Sequence, residues 1–252
     1  MNFDGKVVLI TGASRGIGKA CAQRFAAHGA RVAIHYHSHR EAAEQTFASL
    51  PQREHLIVQA EIDDAESVRR MVETVIGEMG GLHILVNNAG IFEEHPLADL
   101  SYAEWQATIQ RILNTNLIGA ANVTYCAARH MIAHGGGRII TISSRTAFRG
   151  KPEAPLYAAS KAALNAMSQS LAVALAPYGV FIGVVAPGVV ATDMATQELA
   201  GPLGDAIRNQ SPLGRVAHPD EVAYAVVFLA SEGAEYLTGT IIDANGASYL
   251  RS

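Results

Sequence analysis

The feature that most restricts what this chain can become is a regular alternation of short apolar runs with longer amphipathic segments. Lys6–Thr11, Arg31–Tyr36, His55–Ala60, Leu82–Asn87, Arg138–Ser143, Val180–Ala186 and Thr240–Asp243 are rich in β-branched residues and nearly unbroken in apolarity. Runs of that kind suit strands of a parallel sheet covered on both faces. Between them lie helical patterns, roughly Ile17–His28, Glu41–Leu50, Ala65–Gly77, Tyr102–Ala133, Leu156–Ala176 and Asp220–Ala230. The alternation predicts a single-domain α/β chain: a doubly wound Rossmann fold, with a seven-stranded parallel sheet flanked by helices and joined by right-handed crossovers. No linker, repeat or low-complexity segment divides residues 1–252. The least regular stretch, Val189–Gly214, contains Gly201-Pro202 and Gly204 and is expected to be a mobile substrate-binding lid.

Composition removes several classes of function. Hydrophobic residues make up 49% and charged residues 17%, which excludes disorder as the main state. A net charge of -4 argues against a nucleic-acid partner. Cys21 and Cys126 form neither a disulfide framework nor a zinc pattern, which suits a reducing cytoplasm. Met1–Lys6 does not read as a signal peptide. The longest apolar stretch, Val180–Ala191, is interrupted by Gly183, Pro187 and Gly188, so no membrane span is expected.

Chemistry concentrates at the ends of the expected strands. Thr11-Gly12-Ala13-Ser14-Arg15-Gly16-Ile17-Gly18 follows the first strand and opens the first helix. Gly12 allows a tight turn, Gly16 allows a pyrophosphate to approach the backbone, and Gly18 allows close helix packing. The free N–H groups and dipole of the helix start favour an anion there. An NAD-selective site usually has an acid after the second strand, but here the chain runs Tyr36-His37-Ser38-His39-Arg40 with no acid before Glu41. Arg15 and Arg40, with His37 or His39, would welcome a 2′-phosphate, so NADP(H) is favoured over NAD(H). His35, His37 and His39 alternate as metal ligands on a strand would, although a polar strand end beside the adenosine is the simpler reading, and no metal is expected.

Tyr157 and Lys161 are spaced to share one face of a helix. A phenol with pKa about 10 needs roughly 4 kcal/mol of help to titrate near neutrality, and an ammonium supplies part of it. Ser144 follows the fifth expected strand, Asn87-Asn88-Ala89-Gly90 ends the fourth, and Asn116 lies in the long segment after it. In an open α/β sheet these carboxyl ends are where a ligand binds.

Taken together, these motifs resemble the short-chain dehydrogenase/reductase family over essentially the whole chain, including Pro187-Gly188 followed by Thr192 and Gly214-Arg215 before the last helix. The resemblance implies that Tyr157 is the general acid or base. Lys161 would lower its pKa and hold the nicotinamide ribose, and Ser144 would bind the substrate oxygen. Asn116 would hold a water that links Lys161 to solvent. Thr192 with Val189 or Val190 would hold the carboxamide, beside Pro187 and Gly188. Asn88, Ala89 and Gly90 would shape the pocket, and Glu61 with Ile62 would meet the adenine.

Within the family the chain looks most like the 3-oxoacyl-[acyl-carrier-protein] reductases, which implies a fatty-acid-biosynthesis substrate, a possible acyl carrier protein partner and a homotetramer built on two long helices. There are departures. Two carrier-docking arginines fall at Gly135 and Tyr178, leaving Arg129, His134 or Arg138 as substitutes. Arg145, Arg149 and Lys151 are either a basic pocket mouth or a solvated loop. Trp105 and Asn116 stand about one helical turn further apart than usual, which implies an extended rim or a bulge. Gly183 and Ala247 replace a usual Asn and Gly. A dehydrogenase of another alcohol, ketone, sugar or steroid, and a non-catalytic cofactor sensor, are the competing readings.

Overall fold

The computed structural model describes residues 1–251, without the side chain of Gln197. Seven parallel strands form one sheet: β1 (Val7–Ile10), β2 (Arg31–Tyr36), β3 (Leu56–Gln59), β4 (Ile84–Asn87), β5 (Gly137–Ile142), β6 (Val180–Pro187) and β7 (Ile241–Ala244). Their order is β3-β2-β1-β4-β5-β6-β7. Each lies within two residues of its expected run. The order reverses between β1 and β4, so a crevice opens beyond their carboxyl ends. The glycine turn leaves β1 there, and Asn88–Gly90 leaves β4.

Helices cover both faces: α1 (Gly16–Ala27), α2 (Arg40–Ala48), α3 (Ala65–Met79), α4 (Tyr102–Leu113), α5 (Ala120–Ala133), α6 (Pro155–Leu175), α7 (Thr196–Ala200), α8 (Gly204–Arg208) and α9 (Pro219–Ala230). Strand alternation divides the core. On β1, Val8 and Ile10 join the layer containing Phe25 of α1 and Val226 of α9. Val7 and Leu9 join the opposite layer, with Val72 of α3, Val123 of α5 and Ala172 of α6. All four β1 side chains are fully buried, each contributing about 2 kcal/mol from apolar burial. Among the described residues no helix is long and apolar enough to cross a membrane.

Two segments differ in detail from their sequence patterns. The long helix Tyr102–Ala133 is interrupted by a π-helical turn over Asn114–Gly119. The extra length before Asn116 is therefore taken up next to the site, as a bulge within the helix. The segment 189–214 carries regular structure: it contains α7 and α8, and Val190 forms a parallel bridge with Ala217.

Candidate active site

The crevice is held open by a small set of buried polar contacts. Thr11 Oγ1 accepts from the backbone N–H groups of Asn88 and Ala89, both at 3.0 Å. Asn88 Nδ2 donates to Thr11 O at 2.8 Å and Gly12 O at 3.0 Å. A Cβ at Gly18 would lie 2.6 Å from that amide nitrogen, so the helix could not approach with any other residue. His35 completes the turn: Nδ1 accepts from Gly12 N at 3.0 Å and Nε2 faces Ala60 O at 3.2 Å. This pattern fits the neutral tautomer with Nε2 protonated, and burial pushes the pKa down to about 4.

The start of α1 fits a dinucleotide pyrophosphate. Its N-cap, Arg15, makes no side-chain cap, and its first turn holds no acid. The first N–H groups are thus left for an outside acceptor. Gly16 has φ +57, and a Cβ there would sit 3.2 Å from Thr192 Cγ2, so Ser14–Gly18 and Thr192 share one cradle. Pro187 closes β6, Gly188 N donates to Ala244 O at 3.0 Å, and Thr192 N turns back on Val190 O at 2.8 Å.

The adenosine side is looser. Arg15 Nη1 lies 3.3 Å from Asp193 Oδ2, and Arg40 Nε lies 2.8 Å from Glu44 Oε1. His37 lies 3.8 Å from Glu61, while Ile62 is buried. The expected 2′-phosphate ligands are present but already paired with carboxylates. The three alternating histidines do not converge: His35 is buried against Gly12, His37 meets Glu61, and His39 precedes α2.

Across the crevice, α6 carries Tyr157 and Lys161 one turn apart. Lys161 Nζ donates to Ile142 O at 2.9 Å and lies 5.8 Å from the Tyr157 ring centre. Burial brings Lys161 down to about 8. Burial also pushes Tyr157 up to about 12, with a hydrogen bond from Ser144 pulling the other way. Ser144 Oγ accepts from Thr146 N at 3.2 Å and from Thr146 Oγ1 at 2.9 Å.

Asn116 sits in the π-helical turn, fully buried. Its Oδ1 accepts from Ile91 N at 2.8 Å; its Nδ2 donates to Ile91 O at 3.0 Å and Ser160 Oγ at 3.2 Å. The side chain therefore clamps the segment after β4 to α6. A Cβ at Gly90 would meet Asn116 Oδ1 at 3.2 Å and Lys161 Nζ at 3.5 Å, which shows how closely these groups gather.

A family model described as Enoyl-(Acyl carrier protein) reductase matches residues 12–246. The chain belongs to the short-chain dehydrogenase/reductase family. It is 38% identical over 250 residues to a 3-oxoacyl-[acyl-carrier-protein] reductase of Escherichia coli K12, covering 99% of this chain and 100% of that one. A protein of the same name from Staphylococcus aureus N315 is 36% identical over 247 residues, covering 97% and 98%. A solved short-chain dehydrogenase from Burkholderia cenocepacia J2315, in complex with NADP, superposes with TM-score 0.90 at 38% identity over 98% of this chain and 99% of that one. A short-chain dehydrogenase/reductase from Serratia marcescens gives 0.90 at 33% identity over 98% and 99%. The chain is an oxidoreductase that uses a nicotinamide cofactor.

Several neighbours of this dehydrogenase site carried no sequence signal of their own. Phe92 packs edge-on against Tyr157, with ring centres 5.1 Å apart. His95 is buried; its Nε2 accepts from Leu156 N at 3.0 Å, which fixes the first turn of α6. Thr146 and Ser160 support Ser144 and Asn116. Only the hydroxyl of Ser160, beside Lys161 in the sequence, was placed so that helix periodicity pointed to it. Of Arg145, Arg149 and Lys151, read as a basic pocket mouth or a solvated loop, Arg145 is buried, Arg149 reaches Gln210 and Lys151 pairs with Glu198 at 2.9 Å. Arg138 is also committed, to Ala230 O and Glu235, and cannot stand in for a carrier-docking arginine.

Proposed function

We propose that this chain reduces a 3-oxoacyl thioester to the 3-hydroxyacyl thioester, with NADPH preferred over NADH. The observation that carries this reading is the gathering of Tyr157 and Lys161, one helical turn apart on α6, with Ser144 at the end of β5 and Phe92 edge-on to the Tyr157 ring. When bound, the dinucleotide supplies the hydride. Ser144 binds the carbonyl oxygen and strengthens its hold as negative charge develops. Tyr157 donates the proton to that oxygen. Lys161 holds the nicotinamide ribose, and Asn116 keeps Ile91 and Ser160 in place around it. Gly12 through Gly18, Asn88–Gly90, and Pro187, Gly188, Val190 and Thr192 cradle the rest, with His37, Arg40, Glu61 and Ile62 on the adenosine side.

The names of the relatives support the acyl-thioester substrate. Gly135 and the exposed Tyr178 favour a second reading, in which the carbonyl compound arrives free of a carrier protein. Residues 189–214 act as the lid over either substrate. Exposed Tyr125 on α5 and Val173 on α6, 67% and 81% accessible, support a homotetramer formed through these helices. Two free cysteines support a cytoplasmic setting.

The test is steady-state turnover of a 3-oxobutanoyl thioester with NADPH and then NADH, using Tyr157→Phe as control. Turnover with NADPH that falls at least about a hundredfold in the variant, with cofactor binding kept, is the expected result. A Tyr157→Phe enzyme that retains a tenth of the rate overturns the assignment.

A further inference from the structure

Helix α6 carries both Tyr157 and Lys161, yet its own residues do not cap its start. Ala154 stands at the N-cap position with no side-chain acceptor, and Pro155 follows it with no N–H to give. Ala154 N donates to Lys151 O at 3.0 Å, and Ala158 N donates back to Ala154 O at 3.2 Å. The N–H of Leu156 is one that a serine or aspartate at the N-cap would accept. It is met instead by His95 Nε2 at 3.0 Å, from a residue 61 positions earlier in the chain. Tyr157 is the next residue.

His95 is set for that task. It is 2% exposed. Its backbone N donates to Glu153 O at 2.7 Å, and its Nδ1 lies 3.0 Å from Glu93 O. With the proton on Nδ1 for Glu93 O, Nε2 keeps a lone pair for Leu156, so one neutral tautomer serves both partners. The loop that holds it, 91–95, is fastened along its length. Asn116 takes both backbone polar groups of Ile91, and Arg111 donates to Glu93 Oε1 through Nη2 at 2.7 Å and Nε at 3.1 Å. Phe92, between them, sets its ring edge-on to Tyr157 with centres 5.1 Å apart. The loop therefore meets the tyrosine twice, at its ring through Phe92 and at its helix start through His95.

Tyr157 is the third residue of α6, inside the turn that frays first when a helix lacks its cap. Ser144 stands on a separate segment after β5, so drift of that turn changes the separation of the two groups. We infer that His95 is a positioning residue for the reduction: its imidazole is the cap of α6, supplied from the loop after β4, and it holds the Tyr157 hydroxyl in register with Ser144. The inference rests on Tyr157 as the proton donor proposed above. A misplacement of about 1 Å costs up to about a hundredfold in rate, so a cap acts on kcat without touching the substrate.

The test compares His95→Gln with His95→Asn in the full chain. Glutamine can place its amide oxygen where Nε2 stands and keep Leu156 N; asparagine reaches only the Nδ1 position, toward Glu93 O. His95→Asn is expected to lower kcat for the 3-oxobutanoyl thioester by about tenfold or more, with KM and the NADPH Kd changed less than about twofold. His95→Gln is expected to keep about a third of the wild-type kcat or more. In a Tyr157→Phe background, His95→Asn should cost less than about twofold further, because its effect passes through the tyrosine. Equal losses in the two variants, a smaller loss in His95→Asn than this, a loss undiminished in the Tyr157→Phe background, or variants that no longer bind NADPH overturn the inference. The comparison is a ratio between variants, so it is read on whichever carbonyl compound the wild-type chain reduces. Failure of the donor reading shows separately, as a Tyr157→Phe enzyme that retains about a tenth of the rate or more.

Discussion

The two sides of the crevice are built differently. On the substrate side, Asn116, Ser160, Lys161 and Ile142 are buried, and their polar atoms are matched to partners inside the protein. On the adenosine side, Arg15, Arg40, His37 and Glu61 are exposed, and the pairs Arg15–Asp193, Arg40–Glu44 and His37–Glu61 are screened by solvent. A buried contact costs the full desolvation of its partner when broken, whereas an exposed ion pair is worth about 0–1 kcal/mol. On the proposed reading, the chemistry sits among contacts that are costly to break, and cofactor preference among residues that exchange partners freely.

The sharpest way to break that contrast is Asn116→Ala. It leaves Ile91 N and O and Ser160 Oγ without their partner inside the core. The expected loss is about 3 kcal/mol, seen as a fall in Tm on the order of 10 °C. A change within a degree or two would mean that the carboxamide is not a clamp, and that the two sides differ less than their burial implies.

His35 is a titratable group that carries buried character over to the cofactor side. It accepts from Gly12 N and is held down to about 4 by burial, against about 6.5 in an unfolded chain. The unfolded chain thus binds the extra proton between those values. The contribution is complete above pH 6.5 and is lost as pH falls through 4, up to about 3 kcal/mol in all. Denaturant unfolding at pH 7 and pH 5 measures it. A His35→Gln variant should be weaker at pH 7 and lose less stability on going to pH 5; equal slopes for the two proteins would remove His35 from the account.

Arg15→Ala and Arg40→Ala probe the exposed side. Each arginine must leave Asp193 or Glu44 to meet a 2′-phosphate, so the net gain per residue is small. Each variant should narrow the ratio of kcat/KM for NADPH over NADH by about three- to tenfold, with Tm unchanged. A ratio untouched by both changes places the selectivity elsewhere.

What was legible in the sequence follows the same division. Parallel strands buried on both faces have to be apolar throughout, so all seven stood out, and the residues gathered in the crevice follow from their positions at strand ends. The π-helical turn at Asn114–Gly119 was legible only as extra length between Trp105 and Asn116, which left a rim and a bulge as alternatives. The helices of the lid are five residues each, too short to show a period. Arg145 reads in the sequence as part of either a basic pocket mouth or a solvated loop. Its burial depends on Gln210 and Ser248, which lie 65 and 103 residues away in the chain.

The smallest expected effect concerns Ala247, the one non-glycine residue with positive φ, at +56, among those described. It follows Gly246 at φ +59 and precedes Ser248, the acceptor of Arg145. A Cβ in the left-handed region costs roughly 1–2 kcal/mol. Glycine would relieve that strain but gives the unfolded chain more freedom, an offset of about 0.4–1 kcal/mol. Ala247→Gly should therefore stabilise by about half a kcal/mol, a rise in Tm of about 2 °C at this chain length. The same variant should leave thioester turnover unchanged, because Ala247 makes none of the contacts around Tyr157. A lower Tm would mean that its neighbours compensate the strain, and that the loop closing over Arg145 is held more tightly than its backbone implies.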